Sequence, residues 1–89
     1  MNTYIITFEA PAPDLVTIKT KIKSSFSFYC PIHSSAVSIR TEKTAKEVRE
    51  LIKPFFPTGS RIFVIRSGTE AAWLNSYGEK NNDWLKKYL

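Results

Sequence analysis

Glu9 is the acid in the most suggestive chemical position in this chain. It follows Tyr4-Ile5-Ile6-Thr7-Phe8, a run of aromatic and β-branched residues that reads as a buried strand. Ala10-Pro11-Ala12-Pro13 ends that strand at once, because proline cannot continue a ladder. The carboxylate therefore falls at the carboxyl tip of the first strand, where open sheets with helices commonly place their chemistry. A carboxylate there could ligate Mg²⁺ or Mn²⁺ and help generate a nucleophilic water. One ligand is not a site, so the position gains weight only if a two-fold axis brings two copies together. The plain alternative is a polar residue where a strand meets solvent.

Cys30 and His33 form the other pair with reactive side chains, and together they invite a nucleophile–base reading. Their odd separation along a strand sends them to opposite faces, so only a bulge or turn could unite them, and a structural role is expected for both. They cannot make a zinc site unaided, since four ligands are normally needed. Glu42 and Glu47 read as helix-start residues, Glu50 lies on an exposed face, and Glu70, Glu79 and Asp83 lack metal-loop spacing. Three glycines build neither a P-loop nor a dinucleotide fingerprint, and no nucleophile elbow occurs, so no nucleotide cofactor is expected.

The basic residues point toward phosphate. Thirteen Lys and Arg stand against eight Asp and Glu, a formal charge of +5, which favours polyanions as partners. Lys19 and Lys23 share one helix face, and Arg40, Arg61 and Arg66 flank strands. These five are the candidate nucleic-acid contacts, and a dimer would double them into a strip for phosphates. No strand carries an aromatic-basic-aromatic motif, which leaves base-specific single-strand recognition with little support. The plain alternative is that the lysines keep the helices soluble.

The elements that must position these residues follow from periodicity. Leu15, Ile18, Ile22 and Phe26 make one apolar stripe after Pro13, with Asp14 placed to cap the helix. Ser27 to Ile32 reads as a strand that Pro31 confines to an edge or a bulge. Ser35 to Arg40 alternates, with Val37 and Ile39 on one face and Ser38 and Arg40 on the other. Thr44-Ala45-Lys46-Glu47 has capping-box spacing. It opens a helix whose stripe is Ala45, Val48, Ile52 and Phe55, with Pro54 ending or kinking it. Pro57-Thr58-Gly59 is a turn, and Arg61 to Arg66 is a strand apolar on both faces, hence central or covered. In the tail, residues 71–74 are a candidate short strand, and Asp83 is placed to cap a final helix holding Trp84, Leu85, Tyr88 and Leu89.

The order β-α-β-β-α-β with an appended tail suits an α+β ferredoxin-like sandwich, an antiparallel sheet with two helices on one face. Its first and third strands would be central. Eighty-nine residues make a single domain, 1–89, and so small a core is often supplemented by dimerisation. One cysteine excludes an internal disulfide, Met1-Asn2-Thr3 lacks a basic n-region, and Tyr4–Phe8 is too short for a signal peptide or membrane span. The expectation is a cytoplasmic protein with no membrane partner.

An apolar first strand tipped by an acid, a basic amphipathic helix, a serine-rich strand, Thr44-Ala45-Lys46-Glu47-Val48-Arg49, Ala71-Ala72-Trp73 and Asp83-Trp84-Leu85-Lys86-Lys87 together resemble a known group. These are the CRISPR-associated Cas-two proteins, their VapD toxin relatives and short proteins labelled SinR family, the last most of all. The resemblance covers nearly the whole chain. It implies a ferredoxin-like homodimer in which the tail, 68–89, crosses to the partner. It also implies metal-dependent cleavage of RNA or DNA, with Mg²⁺ on Glu9 from both subunits, or nucleic-acid binding alone. The family acid is usually aspartate where Glu9 stands, and the serine before the second strand's valine is replaced by Ala36. Two classes of function follow. The favoured one is a noncatalytic nucleic-acid-binding or assembly module, and the other a Mg²⁺-dependent endonuclease. A toxin–antitoxin or phage-defence component is a third reading.

Overall fold

The computed structural model describes every residue of the chain except Thr69, Ala71 and Asn75. Among the described residues, four strands and three α-helices run in the order β1 (Asn2–Glu9), α1 (Leu15–Ser25), β2 (Phe28–His33), β3 (Ala36–Thr41), α2 (Ala45–Ile52), β4 (Arg61–Arg66) and α3 (Glu79–Tyr88). The strands form one sheet in the order β2-β3-β1-β4, with each neighbouring pair antiparallel. The protein is thus α+β, and β3 and β1 are the inner strands.

One face of the sheet carries the main core. Pleating sends Tyr4, Ile6 and Phe8 of β1 to the same side, where they meet Val37 and Ile39 of β3, Ile18 and Ile22 of α1, and Val48 and Ile52 of α2. Both helices therefore pack on this face, and burying each such side chain contributes roughly 1.5–3 kcal/mol. Pairing Tyr4 with Ile39 and Ile6 with Val37 fixes the register, since a one-residue slip would turn this whole set to the other face. Tyr4 also spans the core edge, its hydroxyl donating to the Lys43 carbonyl at 2.8 Å.

Most element boundaries follow the sequence closely. The capping box forms: Thr44 Oγ1 accepts from the Glu47 amide at 3.2 Å, and Glu47 Oε1 accepts from the Thr44 amide at 2.9 Å. Pro54 ends α2, and the chain tightens into a 3₁₀ turn over Lys53–Phe55. At Pro31 the edge strand β2 has its expected irregularity, a register shift between Pro31 and His33. Gly59 takes φ 89° in the turn before β4, a conformation that costs glycine nothing.

Four expectations are corrected. Asp14 occupies the N-cap of α1 but makes no side-chain hydrogen bond there, because a 3₁₀ turn over Ala12–Asp14 runs straight into the helix. The final helix begins at Glu79, not Asp83, and Gly78 with φ 118° sets its entry. Ala72, Trp73 and Leu74 carry no strand; the expected strand also included Ala71, which lies outside the described residues. Lastly, β4 is neither central nor covered on both faces: it is an edge strand, with Phe63 62% and Ile65 51% exposed. Its second apolar face reflects an open surface and not a second packed layer.

That second face of the sheet is only half covered. There α3 lies against β2, with Leu85 buried and Asn81 Nδ2 donating to the Pro31 carbonyl at 3.3 Å. Trp73 Nε1 donates to Asn82 Oδ1 at 2.8 Å and ties the connecting segment to the helix. The Tyr88 ring packs at a tilt against those of Phe28 and Trp84. Thr3, also outward on β1, is buried, whereas Glu9 at the tip of β1 and Phe63 and Ile65 of β4 are exposed. Among the described residues, no helix is long and apolar enough to cross a membrane.

Candidate functional site: a cavity at the tip of the first strand

Register alone brings Glu9 to its neighbours. Glu9 pairs with Arg61, and Thr7 with Phe63, across β1 and β4. On the other side Thr7 pairs with Ala36, which in turn pairs with His33 across β3 and β2. One row of the outward face thus reads Phe63, Thr7, Ala36, His33. Thr7 and the buried Ala36 stand between two ring-bearing residues. Three strand spacings put the outer backbones about 14 Å apart. Glu9 and Arg61 face each other in the next outward row.

The resulting cavity has a volume of about 260 Å³ and is lined by Thr7, Phe8, Glu9, His33, Ser35, Arg61 and Phe63. Arg61 Nη1 lies 3.1 Å from Glu9 Oε1, a charge-assisted hydrogen bond between two exposed side chains. His33 is held from its other end. The Ser35 amide donates to Nδ1 at 3.2 Å, and an accepting Nδ1 leaves the ring proton on Nε2. Lys19 Nζ donates to the His33 carbonyl at 3.4 Å, bringing a second full positive charge to this corner. The lining can therefore donate hydrogen bonds from a guanidinium, an imidazole and a hydroxyl, and accept them at one carboxylate.

The five basic residues do not form one strip within a single chain. Lys19 and Arg61 border the cavity region. Lys23 is exposed further along α1. Arg66 is exposed five residues beyond Arg61, about 17 Å along β4 and on the opposite face. Arg40 turns toward rings: its guanidinium carbon sits 4.2 Å from the Tyr88 ring centre and 5.8 Å from that of Phe28. Its Nε is buried without a hydrogen-bond partner among the described residues.

The donor set does not suit a divalent cation within one chain. Glu9 is a single carboxylate with a guanidinium on one oxygen, and no three His, Cys, Asp or Glu side chains converge among the described residues. Hard cations of this kind take six or more oxygens. Cys30 and His33 do reach one face, through the register shift in β2. They make no hydrogen bond to each other: Cys30 is buried, and its thiol approaches the Pro31 carbonyl at 3.7 Å. Burial pushes the Cys30 thiol above its ordinary pKa, with the Ser38 hydroxyl opposing that shift, so it is a poor nucleophile near neutral pH.

Sequence reasoning missed His33, Ser35 and Phe63 as neighbours of Glu9. Nothing local in the sequence links positions 9, 33 and 63. The only available signal was Pro31, whose bulge turns His33 outward. No family model, no curated protein and no solved structure matches this chain.

Proposed function

We propose that this chain is a small basic homodimeric nucleic-acid-binding or assembly module of the Cas-two and VapD-like type, built on a ferredoxin-like sandwich. The strand order β2-β3-β1-β4 with α1 and α2 on one face supports the sandwich. The Glu9–Arg61 contact carries the functional reading. A carboxylate already paired with a guanidinium is a weak metal ligand, whereas Arg61 beside it and His33 in the same cavity can donate to phosphate oxygens. The module binds, and Glu9 orients Arg61.

Support for the dimer comes from the two sheet edges. β2 protects itself with Pro31 and a register shift, both standard devices against edge pairing. β4 offers Ile62-Phe63-Val64-Ile65 with no proline and no charge between its terminal arginines. Among the described residues it has no outer partner strand. An edge of this kind invites a second copy.

Purified protein incubated with labelled RNA and DNA, in Mg²⁺ or in chelator, tests the reading. Salt-sensitive binding that survives chelation, with no cleavage, is the expected result. Metal-dependent cleavage abolished by Glu9→Gln would instead establish the endonuclease, with Glu9 supplied by both subunits.

A further inference from the structure

We infer that the outward face of β4 and the Glu9–Arg61 cavity together take one nucleotide of a single-stranded nucleic acid, its base on Phe63 and its phosphate on Arg61 and His33. This rests on the nucleic-acid reading above and names the form of nucleic acid.

Three observations converge on it. Phe63 is a large aromatic left 62% exposed on the wall of the cavity that Arg61 also lines. An exposed ring beside a cationic donor is an arrangement on which unstacked bases rest, because every base has a π-face and the backbone phosphates need countercharge. Arg61 lies two residues before Phe63 on the same face of the strand, about 6.8 Å away along it. Between Phe63 and His33 in that row stands Thr7, a small side chain that also lines the cavity. The alternation Arg61-Phe63-Ile65 supplies a single ring, so the contact tolerates any base and specifies none.

Charge selects this occupant over an apolar protein surface. Arg61 lines the cavity, Lys19 reaches the His33 carbonyl beside it, and the whole chain carries +5. Glu9 is the one acid lining the cavity, and its carboxylate is already spent on Arg61. A phosphate oxygen can approach the other guanidinium donors while this contact holds the arginine in place.

In a duplex the bases are stacked and paired and cannot lie on Phe63. The full chain should therefore bind single strands more tightly than a duplex of the same sequence. The experiment is fluorescence anisotropy with labelled single-stranded RNA, single-stranded DNA and the matching duplex, at several salt concentrations, with light scattering on each variant. Phe63→Leu should weaken single-strand binding about tenfold and leave duplex binding unchanged, while Phe63→Trp should retain affinity. Arg61→Gln should weaken binding and reduce the salt slope by about 0.7. Equal affinity for duplex and single strands, unmoved by Phe63→Leu but lowered by Lys19→Gln and Lys23→Gln, would overturn the nucleotide site and leave the nucleic-acid reading standing. Loss of dimer mass in Phe63→Leu, with affinity unchanged or falling only in step with that mass, would make the face a contact between copies and overturn the nucleotide site as well. No binding to any of the three at low salt would overturn both.

Discussion

Glu9 and Arg61 face each other directly across β1 and β4, with 3.1 Å between Oε1 and Nη1. The pair joins the tip of the first strand to the start of the last. Cross-strand opposite charges support a sheet modestly, and exposed pairs contribute about 0–1 kcal/mol. The contact fixes where a guanidinium points more than it holds the fold together.

Glu9→Gln should therefore change stability by less than about 1 kcal/mol in urea denaturation. It also releases the guanidinium that Glu9 orients. Affinity for single-stranded RNA should fall by up to about fivefold, the factor that ~1 kcal/mol of lost positioning allows. An unchanged or higher affinity would show that Glu9 does not position Arg61 for the ligand.

Arg40 behaves differently from Arg61 despite its similar place in the sequence. Its guanidinium lies over Tyr88 at 4.2 Å and near Phe28 at 5.8 Å, where α3 covers the sheet. Arg40→Met keeps the apolar stem and removes the charge, so nucleic-acid affinity should be unchanged within twofold, in contrast to Arg61→Gln. Tyr88→Leu should cost about 0.5–2 kcal/mol in urea denaturation through the lost cation–π contact. Truncating the buried Leu85 to Ala should cost about 2–5 kcal/mol. If Arg40→Met weakens RNA binding as much as Arg61→Gln does, α3 does not shield that face in solution.

The fold was legible where local chemistry decides it. The capping box at Thr44 and Glu47, the stop at Pro54, the stripe Ile18 and Ile22 and the alternation in β3 are all set by neighbours in sequence. The site was not. Arg61 meets Glu9, and His33 reaches the same row, through strand register, which the sequence encodes only as the sum of the core's preferences. The same gap explains β4. A strand apolar on both faces looks like an inner strand, and only the sheet order reveals that one of those faces is open. Arg40 was grouped with the phosphate-binding residues because its position beneath Tyr88 depends on a helix whose start at Gly78 carries little periodic signal.

Cys30 should be chemically silent in the folded protein. It is 1% exposed, and burial raises its thiol pKa despite the Ser38 hydroxyl. A thiol reagent at neutral pH should label the native protein at the rate of opening and the urea-unfolded protein at once. Rapid labelling of the native state, at a rate rising with pH as for a free thiol, would contradict the buried placement on β2.

The capping box gives α2 a pH-dependent anchor. The Thr44 backbone amide and then its hydroxyl hold the Glu47 carboxyl below its ordinary pKa. A folded-state pKa below the unfolded one means the unfolded chain binds the proton more readily. The contribution is therefore fully present above the ordinary carboxylate range and is lost as pH falls through that range toward the folded value. Glu47→Gln keeps an acceptor for the amide but does not titrate, so its melting temperature should fall less steeply than the wild type's as the solution is acidified. Thr44→Ala removes the hydroxyl that caps the helix and should cost about 1 kcal/mol at neutral pH. Thermal melts followed by circular dichroism across the acid range check both. An acid limb of the same slope in wild type and Glu47→Gln would show that the box is not closed in solution.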